Sequence, residues 1–279
     1  MKKYIPIVLV SCIALIVWLP LLMLISGSFM PIDEIKTYFG PVLLGGSGFA
    51  KWPLIPAYPT MAPYIELLLD SPAFFAMFWN SIKIVVPILI GQVCFGMPAA
   101  WAFARFEFPC KKLLFTLYIA LMLMPFQVTM VPNYLVLDKM NLLNTRGALI
   151  YPLVFSTFPV FIMYRFFKSI PEAMIEATKM DGAGHFRTFI HIGLPLGAAG
   201  IVSALVLGFL EYWNMIEQPL TFIQDKSLWP LSLYLPQIAV DQLSVSIVAS
   251  VIMLIPALLV FLWGQNDLEA GIRAAGLKE

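Results

Sequence analysis

The stretch Phe167–Pro195 reads FKSIPEAMIEATKMDGAGHFRTFIHIGLP, a polar island between two long apolar runs, Gly147–Phe167 before it and Leu196–Ile216 after it. Pro171 suits a helix start, where its missing N–H costs nothing, and Ser169 is a candidate cap just ahead of it. Glu172–Met180 then holds good helix formers, with Ala173, Ile175, Ala177 and Met180 available for an apolar face. Asp181-Gly182-Ala183-Gly184 stops the helix with turn chemistry, because glycine reaches positive φ cheaply and Asp bonds nearby amides. Phe186–Ile192 restarts a second helix, and Leu194-Pro195 is expected to bend the chain into the next run. The reading is a small helix–turn–helix set between two segments that water cannot solvate.

Working outward, the same apolar character recurs. The chain is 61% hydrophobic, 14% aromatic and only 12% charged, with a mean hydropathy of +0.88. A soluble domain carries about 25% charged residues, so lipid must be the second solvent. A spanning helix needs about 20 mostly apolar residues, and six stretches qualify: about Tyr4–Ser26, Ile82–Ala104, Leu113–Val131, Gly147–Phe167, Leu196–Ile216 and Ser246–Gly264. Barrel strands would instead alternate in segments of about ten residues. Pro87, Pro98, Pro125 and Pro256 fall inside spans and are expected to kink them. The fold class is therefore all-α: one polytopic membrane domain, residues 1–279, with six transmembrane helices and a cytoplasmic loop at about 168–195.

Charge sets the orientation. With both termini in the cytoplasm, the inner segments hold eleven of the 17 Lys and Arg residues and the longer outer segments hold six, as the positive-inside rule requires. The first apolar run continues past Cys12 to about Ile25, longer than the 7–15 residues of a signal core, so an uncleaved span is expected. The outer segment Gly27–Asn80 is too apolar for a disordered tail and reads as a structured loop with a short interfacial helix around Tyr64–Asp70. Asn133–Leu143 and Glu217–Val245 read as further interfacial pieces.

Several chemistries are missing. A net charge of +1 with no basic tract leaves nothing to neutralise the phosphates of a nucleic acid. No Gly-x-x-x-x-Gly-Lys-[Ser/Thr] loop occurs, so this chain has no such cradle for ATP. His185 and His191 are six apart, off the i, i+4 spacing of a shared helical face. Cys12, Cys94 and Cys110 lack metal-ligand spacing and read as packed thiols. No nucleophile and base converge, so neither a catalytic nor a metal site is read.

Glu176-Ala177-Thr178, Asp181-Gly182-Ala183 and Ile192-Gly193-Leu194-Pro195 together resemble the EAA loop of binding-protein-dependent ABC importer permeases. Thr178 stands where that pattern has a second alanine. Asn80-Ser81, Met124-Pro125, Val131-Pro132-Asn133-Tyr134, Leu143-Asn144-Thr145 and Phe209–Asn214 are similar to the carbohydrate-uptake subfamily, and the six-span length looks like its maltose-permease G type of subunit. The resemblance covers nearly the whole chain. It implies a type I importer fold in the bacterial cytoplasmic membrane, forming half of a translocation pathway with a second permease subunit. The implied partners are an ABC ATPase dimer, which uses ATP and magnesium, and an extracytoplasmic solute-binding protein. It also implies that Glu176, Ala177, Asp181, Gly182, Ile192, Leu194 and Pro195 form the coupling loop seated in the ATPase.

Ionisable residues deep in a membrane are costly and mark functional sites. Glu211, beside Tyr212, Trp213 and Asn214 in the fifth span, is the best candidate. Aromatic faces with adjacent hydrogen-bonding groups suit sugars, so the four could line a substrate pathway. Equally, Tyr212 and Trp213 could belong to the interfacial aromatic belt, with Glu211 facing a partner subunit. The rival function, an ion-coupled secondary transporter, needs buried acidic relays or helices broken at the midplane, which the spans barely offer.

Overall fold

In the computed structural model, described for residues 5–43, 48–51, 53, 55–235 and 242–276, the chain is helical and the described residues contain no strand. Tyr4, the expected start of the first span, and residues 236–241 of the segment Glu217–Val245 lie outside the described residues. Five helices are long and apolar enough to cross a bilayer, and a sixth if one bent pair counts as a single span.

One compact unit comprises Met1–Met77 with Leu233–Pro256. It opens with helix α1 (Ile5–Gly27), whose apolar side chains are largely exposed. Helices α2 (Ile32–Leu43) and α3 (Ala62–Leu69) follow, and α3 falls where a short helix was expected. Glu34 ties this segment together: its carboxylate accepts the amides of Ala57 at 2.8 Å and Tyr58 at 3.4 Å. Asp33 and Glu34 sit in the first turn of α2, where negative charge meets the helix dipole. Met30, Ile35, Leu67 and Phe74 are buried in this unit.

The other unit comprises Phe78–Ser232 with Ala257–Glu279. Helix α4 (Pro72–Gly91) enters it, passes through a π turn at Gln92–Gly96 and continues as α5 (Met97–Arg105), giving one 34-residue span. The span starts ten residues before the expected Ile82, because the aromatic stretch after Pro72 is helical as well. The third expected span, Leu113–Val131, is not one helix. Helix α6 (Lys111–Met122) and helix α7 (Phe126–Lys139) meet at 105°. Pro125 is extended there, at φ −66° and ψ 152°; it has no N–H to continue the ladder, so the helix stops. At 12 residues, α6 reaches only ~18 Å, and α7 absorbs most of what looked like a separate interfacial piece.

The fourth span is α8 (Gly147–Val154) and α9 (Thr157–Ser169), interrupted at Phe155–Ser156. Next come α10 (Glu172–Met180) and α11 (His185–Thr188), a second π turn at Phe189–Gly193, and α12 (Leu194–Trp213). His185–Trp213 is one continuous helix, so Leu194-Pro195 does not bend the chain as expected. Both π turns end two residues before a proline, Pro98 in one case and Pro195 in the other. A π turn is a place where the hydrogen-bond ladder can re-register, and a proline's missing donor fits there without a break. The short α13 (Glu217–Phe222) follows, and the last helix, α14 (Leu243–Gly276), returns to this unit.

Helix α9 packs against both α5 and α12. Their core joins Ala100, Trp101, Ala104, Val160, Met163, Phe167 and Ala204. Close approach needs small residues: a Cβ on Gly197 would lie 2.3 Å from the Phe167 ring, and one on Gly200 2.4 Å from Phe166. Such small-residue contacts are how spans associate where lipid is as apolar as the helix itself. The three cysteines are exposed rather than packed; Cys110 holds φ 61° in the linker before α6.

Candidate functional site: a helical knob and a polar cleft

The knob is α10, its turn and α11. Ser169 does not cap α10; its hydroxyl donates to the Phe166 carbonyl at 2.8 Å and closes α9 instead. Pro171 precedes α10, Glu172 sits in its first turn and Lys179 in its last, each charge opposing the dipole end it meets. The stop is a Schellman motif. The Ala183 amide donates to the Thr178 carbonyl at 2.9 Å and the Gly182 amide to Lys179 at 3.0 Å. Gly182 holds φ +75°, and a Cβ there would meet nothing within 4 Å. The turn therefore requires glycine for its backbone while its surface stays bare.

The seven residues grouped by the sequence pattern separate in space. Glu176, Ala177, Asp181 and Gly182 are exposed on the knob. Ile192 packs on the span core, while Leu194 and Pro195 begin α12. The expected apolar face of α10 also divides. Ile175 is buried in the core of α5, α9 and α12, whereas Met180 is 88% exposed and Phe186, on α11, 73%. The knob thus has an apolar root and an apolar, unpartnered tip.

Arg105, which motif reading did not single out, holds the knob in place. Its side chain is 5% exposed and pairs with the Glu172 carboxylate at 2.9 Å. It also donates to the carbonyls of Phe167 at 2.6 Å and Ile170 at 2.5 Å, and lies 5.8 Å over the Trp101 ring. One guanidinium thus joins the end of α5, the end of α9 and the start of α10. The only sequence signal for it is a basic residue closing an apolar span. In the neighbouring linker, the Lys111 ammonium donates to Glu107 at 2.8 Å and holds that carboxyl below the usual range.

Elsewhere in this unit, α7, the α8–α9 break, α12 and α13 surround a cleft of about 510 Å³. Its polar lining is Thr129, Asn133, Ser156, Thr157, Glu211 and Gln218; Phe126, Phe155 and Phe158 supply ring faces. Of the four residues Glu211–Asn214, only Glu211 lines it. Tyr212 and Trp213 are 2% and 1% exposed, so they belong neither to the cleft wall nor to an aromatic belt. Trp213 stacks on Phe209 at 5.3 Å and meets Phe78 edge-on at 5.8 Å. The Tyr212 hydroxyl accepts from Gln92 at 2.7 Å, and the same Gln92 amide donates to the Leu153 carbonyl at 2.8 Å. Asn214 is exposed and donates back to Leu210. Helical periodicity explains the division, since consecutive residues lie about 100° apart around the axis.

Residues 92–274 match the family model for the binding-protein-dependent transport system inner membrane component. The chain belongs to this family. A probable ABC transporter permease of Pyrococcus horikoshii is 33% identical over 252 residues, covering 87% of each chain. A diacetylchitobiose uptake system permease of Streptomyces coelicolor is 32% identical over 202 residues, 70% of this chain and 67% of that one. An arabinooligosaccharide transport system permease of Halalkalibacterium halodurans is 25% identical across 95% of this chain and 93% of its own. Among solved structures, a bacterial ABC transporter involved in import of the acidic polysaccharide alginate superposes with a TM-score of 0.78 at 19% identity, covering 95% of both chains. The permease therefore has the fold of an ABC importer membrane subunit and is a multi-pass membrane protein.

Proposed function

We propose that this permease carries sugars, forms half of the translocation pathway beside a second permease subunit, and is driven by a separate ATPase dimer seated on α10 and α11. A solute-binding protein delivers the cargo from outside, and both termini lie in the cytoplasm. The observation that carries the reading is the knob: a glycine-closed turn with a bare tip, rooted through Ile175 and Arg105 in the spans that it would move. Several relatives named for oligosaccharide uptake support a sugar cargo, as does the cleft's mixture of ring faces and hydrogen-bonding groups.

The test is purification of the permease with its genomic neighbours, followed by uptake of labelled sugars by the reconstituted complex. An ATPase should co-purify, and uptake should require both ATP and the binding protein. Uptake driven by an ion gradient without ATP would sink the proposal. For orientation, cysteines at Gly184 and Lys226 should label from opposite sides with an impermeant thiol reagent once the native cysteines are replaced.

A further inference from the structure

We infer that the Glu211 cleft turns away anionic solutes, so that within the sugar reading just given, on which the cargo class depends, this permease carries uncharged sugars. Glu211 is the sole ionisable residue in the cleft lining. It is exposed to the cleft, and no hydrogen bond or ion pair within the described residues engages its carboxylate. The next charged residue along the chain is again acidic: Glu217, which opens α13, accepts from Gln127 through both oxygens, at 2.8 and 2.9 Å. The basic residue opening α8, Arg146, donates instead to Asn80 at 2.8 Å and does not line the cleft. The wall therefore carries negative charge without a cation to offset it.

The consequence follows from electrostatics in a confined site. A carboxylate facing a cleft acts through less water than one on a convex soluble surface, so repulsion of a second anion is stronger and less screened. Sugar hydroxyls face no such penalty. A carboxylate accepts from two of them, Asn133 and Gln218 can both donate and accept, and Phe155 and Phe158 offer faces to the ring C–H groups. A uronate or sugar phosphate would instead bring its charge beside Glu211 with no arginine or lysine in the lining to receive it. The same fold serves import of an acidic polysaccharide in the alginate transporter, so the fold alone does not set this preference; the wall residues do.

The test reads the field directly and needs no knowledge of the cargo. In the assembled transporter with Cys12, Cys94 and Cys110 replaced by serine, a single cysteine is placed at Thr129, and in a second variant at Asn133. Each is modified with a cationic trimethylammonium-ethyl or an anionic sulfonatoethyl methanethiosulfonate. The cation-to-anion rate ratio should exceed that of a free thiol in solution by about tenfold, and Glu211→Gln should lower it by about fivefold. A ratio that Glu211→Gln leaves unchanged, or failure of both cysteines to react from water, overturns the inference. A second arm follows uptake of labelled neutral oligosaccharides, uronate oligosaccharides and glycerol 3-phosphate. Uptake of either anion with Glu211 intact also overturns it. Transport of none of the sugars, with the charge ratio intact, would sink the sugar reading alone and leave anion exclusion standing.

Discussion

The α10–α11 knob and the Glu211 cleft differ in how their key residues are assembled. On the knob, the turn comes from consecutive residues: Thr178 to Ala183 close their own hydrogen bonds, and Gly182 supplies the one positive φ. In the cleft, Thr129, Ser156, Glu211 and Gln218 come from four separate helices or breaks, and the neighbours of Glu211 in sequence point elsewhere. A local motif can be damaged by one backbone change. An assembled wall responds in smaller steps, because each residue carries only part of it.

The largest effect is predicted at Gly182. Gly182→Val should insert normally, since the spans do not depend on the turn, but lose ATPase association and stimulated hydrolysis by a hundredfold or so. A side chain at left-handed φ costs about 1–2 kcal/mol, more for a β-branched one, and the new bulk also occupies the bare tip. Gly182→Asn sharpens the point, because Asn tolerates this φ region; it should recover most of the turn and isolate the cost of bulk. Co-purification and reconstituted hydrolysis measure both. If Gly182→Val keeps its ATPase, the coupling role of the knob fails.

Next comes Arg105→Leu, which strips donors from the buried carbonyls of Phe167 and Ile170 and unpairs Glu172. We predict a loss of about 3 kcal/mol of stability, at the upper end for unsatisfied buried groups, seen in detergent melting. Glu172→Gln keeps those carbonyl contacts and removes only a pair whose acid is 65% exposed. It should cost less than about 1 kcal/mol while weakening the ratio of transport to hydrolysis severalfold. Equal effects of the two variants would mean that Arg105 acts through the ion pair and not through the carbonyls.

Tyr212→Phe is predicted to be smaller again. It removes the acceptor of one Gln92 hydrogen bond while the bond to Leu153 remains, so a stability loss of about 1 kcal/mol is expected. The sugar preference in uptake assays should not change, because the ring lies in the core. A shifted preference would put Tyr212 back in the pathway. The smallest effect is expected for Thr178→Ala. The Thr178 hydroxyl donates to Ile175 at 2.8 Å and sits 3.3 Å from the Thr188 hydroxyl, a weak bridge between α10 and α11. Transport should stay within about threefold of the parent in the same uptake assay.

Much of the fold was legible because bilayer thickness imposes its own length on the sequence. The first and last expected spans are single long helices, the fourth is a pair broken at Phe155–Ser156, and the second and fifth begin ten and eleven residues early. The third failed at Pro125, where hydropathy carries on across a backbone that cannot. Proline by itself did not predict this outcome. Pro98, inside an apolar run, and Pro195, at the edge of one, each follow a π turn and leave their helix continuous. Window averages register apolarity and do not register which carbonyl a helix leaves without a donor.

The sequence by itself determined the solvent, the spans and the turn at Asp181-Gly182, because these depend on composition, run length and the φ preference of single residues. Only the tertiary structure decided which residues meet across the chain. Arg105 joins Glu172 from 67 residues away, Ile175 turns inward while Met180 turns out, and Tyr212 and Trp213 enter the core while Glu211 faces the cleft. The physical reason is that a helix fixes only the angle between neighbouring side chains. Which of those directions leads to lipid, core or cavity is set by how α5, α9 and α12 pack, and that packing is a property of all three helices together.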